Sequence, residues 1–283
     1  MPLPPRYNVL GVGVSAVTLP QARELVLGAR GRLKTGYICL GTAHGLTEAQ
    51  RDHELRRIYN ASWLTTPDGM PLVWLGRWET RRWTATSERR GEGDAGANAA
   101  EARVPPMVER VYGPDLMLAV CAAGRAVGLR HYFFGGMPGV TAELRARLIA
   151  RFPGLEVVGV FTPPFRELNA AEFAALQADV ARVRPDVIWV GLSSPKQEKF
   201  MARYWRELDA SVLIGVGAAF DFHSGRVRQA PRWIQRSGFE WLFRLCTEPR
   251  RLGPRYLKTN PLFALRVLAQ KTGLRRYSIP DSE

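Results

Sequence analysis

Apolar positions along the chain follow two alternating rhythms. Short β-branched or aromatic runs at Tyr7–Val12, Tyr37–Leu40, His131–Phe134, Glu156–Phe161, Asp186–Gly191 and Ser211–Gly217 read as strands, and several end in glycine. Between them lie helix-length periodic segments with start signals. Asn169-Ala170-Ala171-Glu172 has the form of a capping box, Thr18 precedes a segment with Pro20 in its first turn, and Thr141 opens a run to Phe152. The alternation predicts a parallel sheet covered by helices, whose ligands sit outside the carboxyl ends of the strands.

Residues 79–106 interrupt this pattern with Arg, Glu, Gly, Ala and Ser and almost no apolar period. They are expected to be an inserted flexible loop, because they offer little surface to bury. With 283 residues and 46% hydrophobic content, the rest of the chain can bury a full core. No window approaches the ~18 apolar residues of a spanning helix, and the first residues lack a signal-peptide pattern, so the protein is expected to be neither secreted nor transmembrane. Cys39, Cys121 and Cys246 are scattered in apolar contexts and are expected to be reduced core residues.

The net charge of +14 is unevenly placed. From Arg226 to Arg276, thirteen Lys and Arg face only Glu240 and Glu248, an excess of eleven positive charges. A basic tail of this kind points to a polyanion: nucleic acid, anionic lipid head groups or diphosphates. Within it Trp233, Ile234, Trp241, Leu242 and Leu245 recur at helical spacing while Arg232, Arg236 and Arg244 fall elsewhere on the wheel. That reads as an amphipathic basic helix suited to a membrane interface, or as a helix packed on the domain with a solvated basic face.

Four loops could carry chemistry. Thr65-Thr66-Pro67-Asp68-Gly69-Met70-Pro71 follows a short apolar run at Trp63 and Leu64, so Asp68 sits in a stiff strand-end turn. It could serve as a general base, which needs a fixed distance to its proton, or cap a helix over 71–78. Val190-Gly191-Leu192-Ser193-Ser194-Pro195-Lys196-Gln197-Glu198 runs from strand end to helix start, where open amides beside Lys196 would hold a phosphate; an ordinary βα turn has the same form. Phe134-Gly135-Gly136-Met137-Pro138-Gly139 and Gly215-Val216-Gly217-Ala218-Ala219-Phe220-Asp221 are small-residue turns without the dinucleotide fingerprint. The four His are isolated, and the chain lacks a D-x-D triplet, an H-E-x-x-H motif, a G-x-S-x-G elbow and a P-loop, so no metal site or cofactor is expected.

In order, T-P-D-G-M-P (66–71), E-R-V-Y-G-P-D-L (109–116), F-G-G-x-P-G (134–139), G-L-x-x-P-K-Q-E (191–198), G-V-G-A-A-F-D-F-x-S-G (215–225) and A-P-x-W-I-Q-x-x-G-x-E-W-L-x-R-L-x-x-E-P-R-R-L (230–252) resemble the WecG/TagA/CpsF family, glycosyltransferase family 26. The resemblance implies an α/β fold, a Rossmann-like parallel sheet flanked by helices, with a helical basic C-terminal appendage. Residues 1–227 would form the catalytic domain, and 228–283 an appendage that associates with the membrane and completes the site. The implied activity is an inverting, metal-independent transfer from a UDP-sugar donor to a polyprenyl-diphosphate-linked sugar acceptor in surface-polysaccharide, teichoic-acid or exopolysaccharide synthesis. It places the enzyme at the cytoplasmic inner face of the membrane, on an anionic surface, without nucleic acid, and leaves room for a homo-oligomer.

Carried over residue by residue, the resemblance makes Asp68 the base and Thr42, Arg110 and Gln197 its polar neighbours. Gly135, Gly136, Pro195, Lys196, Glu198, Gly217 and Asp221 would bind substrate, and Arg244, Arg251 and Arg255 would meet diphosphate oxygens, which the planar guanidinium fork holds in pairs. Two other classes stand beside this one. A basic α/β nucleic-acid-binding protein would account for the tail but not for the internal T-P-D-G and P-K-Q-E loops. An NAD-dependent oxidoreductase would need the missing fingerprint.

Overall fold

The first apolar run folds back on itself. In the computed structural model, β1 (Arg6–Val9) and β2 (Val12–Ser15) pair antiparallel across a turn with φ of 54° at Leu10 and 76° at Gly11. Two successive left-handed residues make a tight hairpin, so the single strand expected over Tyr7–Val12 is two short ones outside the main sheet. The structure describes residues 2–90 and 106–279, with the backbone alone for 84–90, 251, 252, 254 and 255.

The remaining apolar runs build one parallel sheet. After α1 (Leu19–Gly28) come β3 (Gly36–Gly41), α2 (Ala43–Glu48), α3 (His53–Ala61), β4 (Leu64–Pro67) and α4 (Met70–Arg90). Beyond residue 105 follow α5 (Gly113–Gly124), β5 (Arg130–Gly135), α6 (Val140–Arg151), β6 (Glu156–Phe161), α7 (Ala170–Val183), β7 (Val187–Gly191), α8 (Lys196–Tyr204), β8 (Val212–Gly215) and α9 (Ala219–His223). The strand order is β4-β3-β8-β7-β5-β6. Side chains alternate across it: Ile38, Val187, Trp189 and Ile214 enter one core layer with α1, α5 and α6, while Tyr37, Ile188, Val190 and Leu213 enter the other with α3, α7 and α8. Burial on both faces explains why these strands read as continuous apolar runs.

The capping signals hold where the sequence placed them. Thr18 and Gln21 form a reciprocal box at α1, and Asn169 and Glu172 do so at α7. The helix expected from Thr141 starts at Val140, after Gly139 at φ 85°.

α4 overturns part of the expected insertion, because residues 79–90 continue the helix begun at Met70. Packing offsets the weak apolar pattern: Thr80 is buried, Arg77 Nε donates to the Val108 carbonyl at 3.0 Å, and Glu79 pairs with Lys271. The part of the expected loop at 91–105 lies outside the described residues.

The amphipathic tail is likewise not one helix. Gly238, at φ 83°, separates α10 (Arg232–Ser237) from α11 (Glu240–Thr247), and α12 (Pro249–Lys271) follows. α12 is tied to the body. Phe263 is only 6% exposed within the core layer that also holds Leu46 of α2. Arg266 Nη1 donates to the Thr47 carbonyl at 3.0 Å, and Gln270 Oε1 accepts the Leu10 amide at 3.0 Å. Cys39 and Cys121 are core residues as expected, whereas Cys246 on α11 is exposed. Among the described residues no helix is long and apolar enough to cross a membrane.

Candidate active site

Strand register fixes where the loops meet. Gly41 lies beside Pro67, Gly135 beside Gly191 and Val190 beside Gly215, so the loops after β3, β4, β5, β7 and β8 all open along the same sheet edge. There they border a cleft of about 1860 Å³. α11 and α12 close its other side through Trp241, Arg244 and Tyr256. The site therefore lies between the sheet and the C-terminal helices.

Asp68 stands at the end of β4, its amide held by the Gly41 carbonyl at 3.0 Å. Its Oδ1 is sealed from water and has no hydrogen-bond partner, so that oxygen is not capping α4. Burial pushes the carboxyl up to about 7, with the charge of Glu240 adding to the rise; Arg110, the Gly113 amide and Arg244 oppose it. A buried carboxyl poised near neutrality has the acidity a general base needs.

Arg110 is held on four sides. Its Nε donates to the Asp68 carbonyl, its Nη1 to the Gln235 carbonyl at 3.2 Å and its Nη2 to Glu240 Oε2, and its plane stands 4.0 Å from the centroid of the Tyr112 ring. The Tyr112 hydroxyl donates to the second Glu240 oxygen at 2.7 Å. Glu240, on α11, thus reaches across the cleft wall to the segment before α5. Arg244, one turn further along α11, approaches Glu248 only to 3.9 Å and stands 5.7 Å from the Phe222 ring centroid. Its Nε is buried without a partner, which leaves a fixed donor beside the base.

The other expected residues divide by position. Thr42 borders the cleft, but its hydroxyl caps α2 by accepting the Gly45 amide at 3.0 Å. Gln197 is buried and structural in its contacts: Oε1 accepts the Gly217 amide at 3.0 Å and Nε2 donates to Glu198 Oε1 at 3.1 Å. It fixes the loop after β8 against α8. Glu198 is buried as well, and burial raises its pKa. Gly136, Pro195, Lys196, Gly217 and Asp221 border the cleft, with the Lys196 ammonium 4.4 Å from the Phe165 ring centroid.

Gly135 sits behind the cleft rather than on it. At φ 127°, a Cβ there would come within 2.5 Å of the Gly191 carbonyl oxygen, so it is a packing glycine between β5 and β7. The start of α8 also differs from the open phosphate cradle expected of it. The Gln197 amide is taken by the Ser193 carbonyl at 3.1 Å, and Pro195 has no amide proton. Positive side chains bordering the cleft include Arg110, Arg244 and Lys196. Arg251 and Arg255 lie on α12, with side chains outside the described residues.

Tyr112 and Glu240 were missed as site residues. Both stand inside the quoted motifs, yet no local spacing pairs residues 128 positions apart.

The profile of the "Glycosyl transferase WecG/TagA/CpsF family" matches residues 7–89 and 97–277. The chain is also similar to the N-acetylglucosaminyldiphosphoundecaprenol N-acetyl-beta-D-mannosaminyltransferase of Bacillus subtilis (strain 168). The two are 23% identical over 229 residues, which are 81% of this chain and 77% of that one.

Proposed function

The chain belongs to the WecG/TagA/CpsF family of glycosyltransferases, and from that premise we propose that it moves an N-acetylhexosamine from a UDP-sugar to a polyprenyl-diphosphate-linked sugar in surface-polysaccharide synthesis. The Bacillus subtilis relative is named for N-acetylmannosamine transfer to an N-acetylglucosaminyl-diphosphoundecaprenol, and UDP-N-acetylmannosamine is the first donor to try.

The observation that carries this reading is the pairing of Asp68, lifted to about 7, with Arg110 and Arg244 at one cleft. Asp68 takes the proton from the acceptor hydroxyl as that oxygen attacks the anomeric carbon. Arg244, with its unpartnered Nε, meets the negative charge of the departing diphosphate. Glu240 is occupied by Arg110 and Tyr112 and does not compete as a nucleophile. One base and no covalent intermediate make a single displacement, which inverts the anomeric centre.

Residues 1–227 form the catalytic domain, and 228–283 form the appendage that completes the site and meets the membrane. Trp233, Phe239, Trp241 and Leu242 are exposed on α10, α11 and the turn between them, with the exposed Arg232 and Arg236 beside them, so this rim faces the anionic inner membrane surface from which the lipid acceptor projects. A donor screen against a short-chain lipid-diphosphate sugar, reading UDP release, tests the reading. Turnover with a UDP-N-acetylhexosamine, unchanged by EDTA, is expected. Absence of UDP release from every sugar nucleotide would overturn it.

A further inference from the structure

We infer that Glu240 is a positioning residue: it holds the Arg110 guanidinium off the Asp68 carboxylate and so keeps that carboxylate free to accept a proton. The inference rests on the transferase reading for its kinetic consequence and on the geometry of the cleft for everything else.

Arg110 and Asp68 are close enough to form a direct ion pair, since Arg110 Nε already reaches the Asp68 backbone carbonyl at 2.5 Å. An unrestrained guanidinium beside a buried carboxylate turns its fork to it, and such pairing lowers a carboxylate pKa by about 1–3 units. Here the fork is occupied elsewhere. Nη2 donates to Glu240 Oε2, Nη1 donates to the Gln235 carbonyl, and the Tyr112 ring lies against the guanidinium plane. Asp68 Oδ1 is left without a partner.

Glu240 is itself held rigidly. Its second oxygen takes the Tyr112 hydroxyl at 2.7 Å, and the Glu240 and Arg110 side chains are only 13% and 17% exposed, so the pair is little screened by water. Among the described residues, Arg110, Glu240, Arg244 and Tyr112 are the charged or titratable groups that act on Asp68 or feel its charge. Of these only Glu240 carries negative charge. It therefore acts twice, by restraining Arg110 and by disfavouring a second negative charge nearby.

The arrangement also ties the base to the C-terminal helices. Glu240 is the first residue of α11, whereas Arg110 and Tyr112 precede α5, so the base is tuned only when α11 lies against the sheet edge.

The experiment compares full-length wild type with Glu240→Gln, which keeps the size of the side chain and an acceptor oxygen while removing the charge. Asp68 is followed by carbon-13 carboxyl NMR without substrate, and kcat and KM by UDP release across pH. Hydrogen exchange of the α11 amides reports whether that helix stays docked. In Glu240→Gln we expect the Asp68 titration to fall by about one unit, the acidic limb of kcat/KM to follow, and the plateau kcat to drop ~10-fold with acceptor KM little changed. Glu240→Asp should recover part of the loss. Since the restraint passes through Arg110 and only the direct charge effect does not, Glu240→Gln should cost less in an Arg110→Ala background than in the wild type.

An Asp68 titration unmoved in Glu240→Gln overturns the inference. So does additive loss in the double variant, or loss of exchange protection along α11 with activity lost equally in Gln and Asp variants, which would make Glu240 only a latch. If wild type released no UDP from any donor, the functional reading would fall, and the carboxyl titration would still decide the role of Glu240.

Discussion

Arg110 places its Nε 2.5 Å from the backbone carbonyl oxygen of Asp68 while the Asp68 Oδ1 has no partner at all. A cation that grips the main chain of a residue fixes its side chain without neutralising it. Asp68→Asn keeps that grip, since the backbone is unchanged, and removes the proton acceptor. We expect turnover to fall by ~10²–10⁴-fold with UDP binding within about threefold of wild type. Single-turnover transfer and calorimetric UDP titration check it; more than about a tenth of wild-type turnover would make Asp68 structural.

The same carboxyl predicts two pH dependences. The base works when ionised, so kcat/KM should rise with pH through about 7 and level above it. Stability should run the other way. The folded pKa lies above the unfolded value of ~3.9, so the contribution of this group is fully present below pH ~3.9 and is lost as pH rises through about 7. Asp68→Asn escapes that loss. Its Tm relative to wild type should climb between pH 4 and 7 and be flat beyond, with a difference of at most ~4 kcal/mol. A difference in Tm that does not change with pH would show that Asp68 titrates normally.

How far the sequence reached is clearest at the strands. Val187–Gly191 and Gly36–Gly41 were legible because both faces are buried and β-branched or aromatic residues fill them. The hairpin at Leu10–Gly11 was not, because a leucine at positive φ follows no propensity and is imposed by packing. At the site, Asp68, Arg110 and Arg244 could be found within short motifs. The grip of Glu240 on Arg110 and Tyr112 could not, because it depends on α11 folding back over residues far earlier in the chain. Gln197 and Glu198 border the cleft as their loop suggested, but the sequence did not show that both side chains are buried there, with Gln197 holding the Gly217 amide.

The C-terminal helices carry stability as well as function, which a truncation at residue 228 would reveal. Phe263 is buried against the layer formed by α2 and α3, and its replacement by Ala should cost about 3–5 kcal/mol. Deleting 228–283 should accordingly lower Tm and expose apolar surface, rather than leave an undisturbed core. Thermal unfolding of Phe263→Ala measures this. A loss below about 1 kcal/mol would mean that α12 contributes little to the body of the protein.

Gly191 tests the packing behind the cleft. A Cβ there would lie 2.5 Å from the ring of Phe220, a buried residue of α9. The ring cannot withdraw without disturbing Phe133, whose centroid is 5.9 Å away. Gly191→Ala should therefore destabilise by about 1–3 kcal/mol, the usual cost of overpacking, and move the loop that carries Lys196. Chemical denaturation reads the first effect and UDP affinity the second; unchanged values for both would show that Phe220 has room to shift.

The arginines of the C-terminal region separate by location. Arg244 borders the cleft with its Nε buried and unpartnered, whereas Arg275 and Arg276 are exposed beyond α12, Arg275 lying 5.2 Å from the Tyr277 ring centroid. A donor already fixed where charge develops lowers the barrier because nothing must reorganise as the bond breaks, so Arg244→Ala should reduce turnover by ~10²-fold or more. Its binding to anionic vesicles should barely change. Replacing Arg275 and Arg276 together by Ala should leave turnover on a soluble short-chain acceptor intact and weaken vesicle binding. That weakening should shrink as salt is raised, because exposed charges separated by more than ~10 Å are screened at 0.1 M ionic strength. The soluble acceptor is essential, since a membrane-bound one would turn lost attachment into lost activity. Equal losses from all three substitutions on that acceptor would mean that the basic region works as one undivided surface, and Arg244 would have no special place at the cleft.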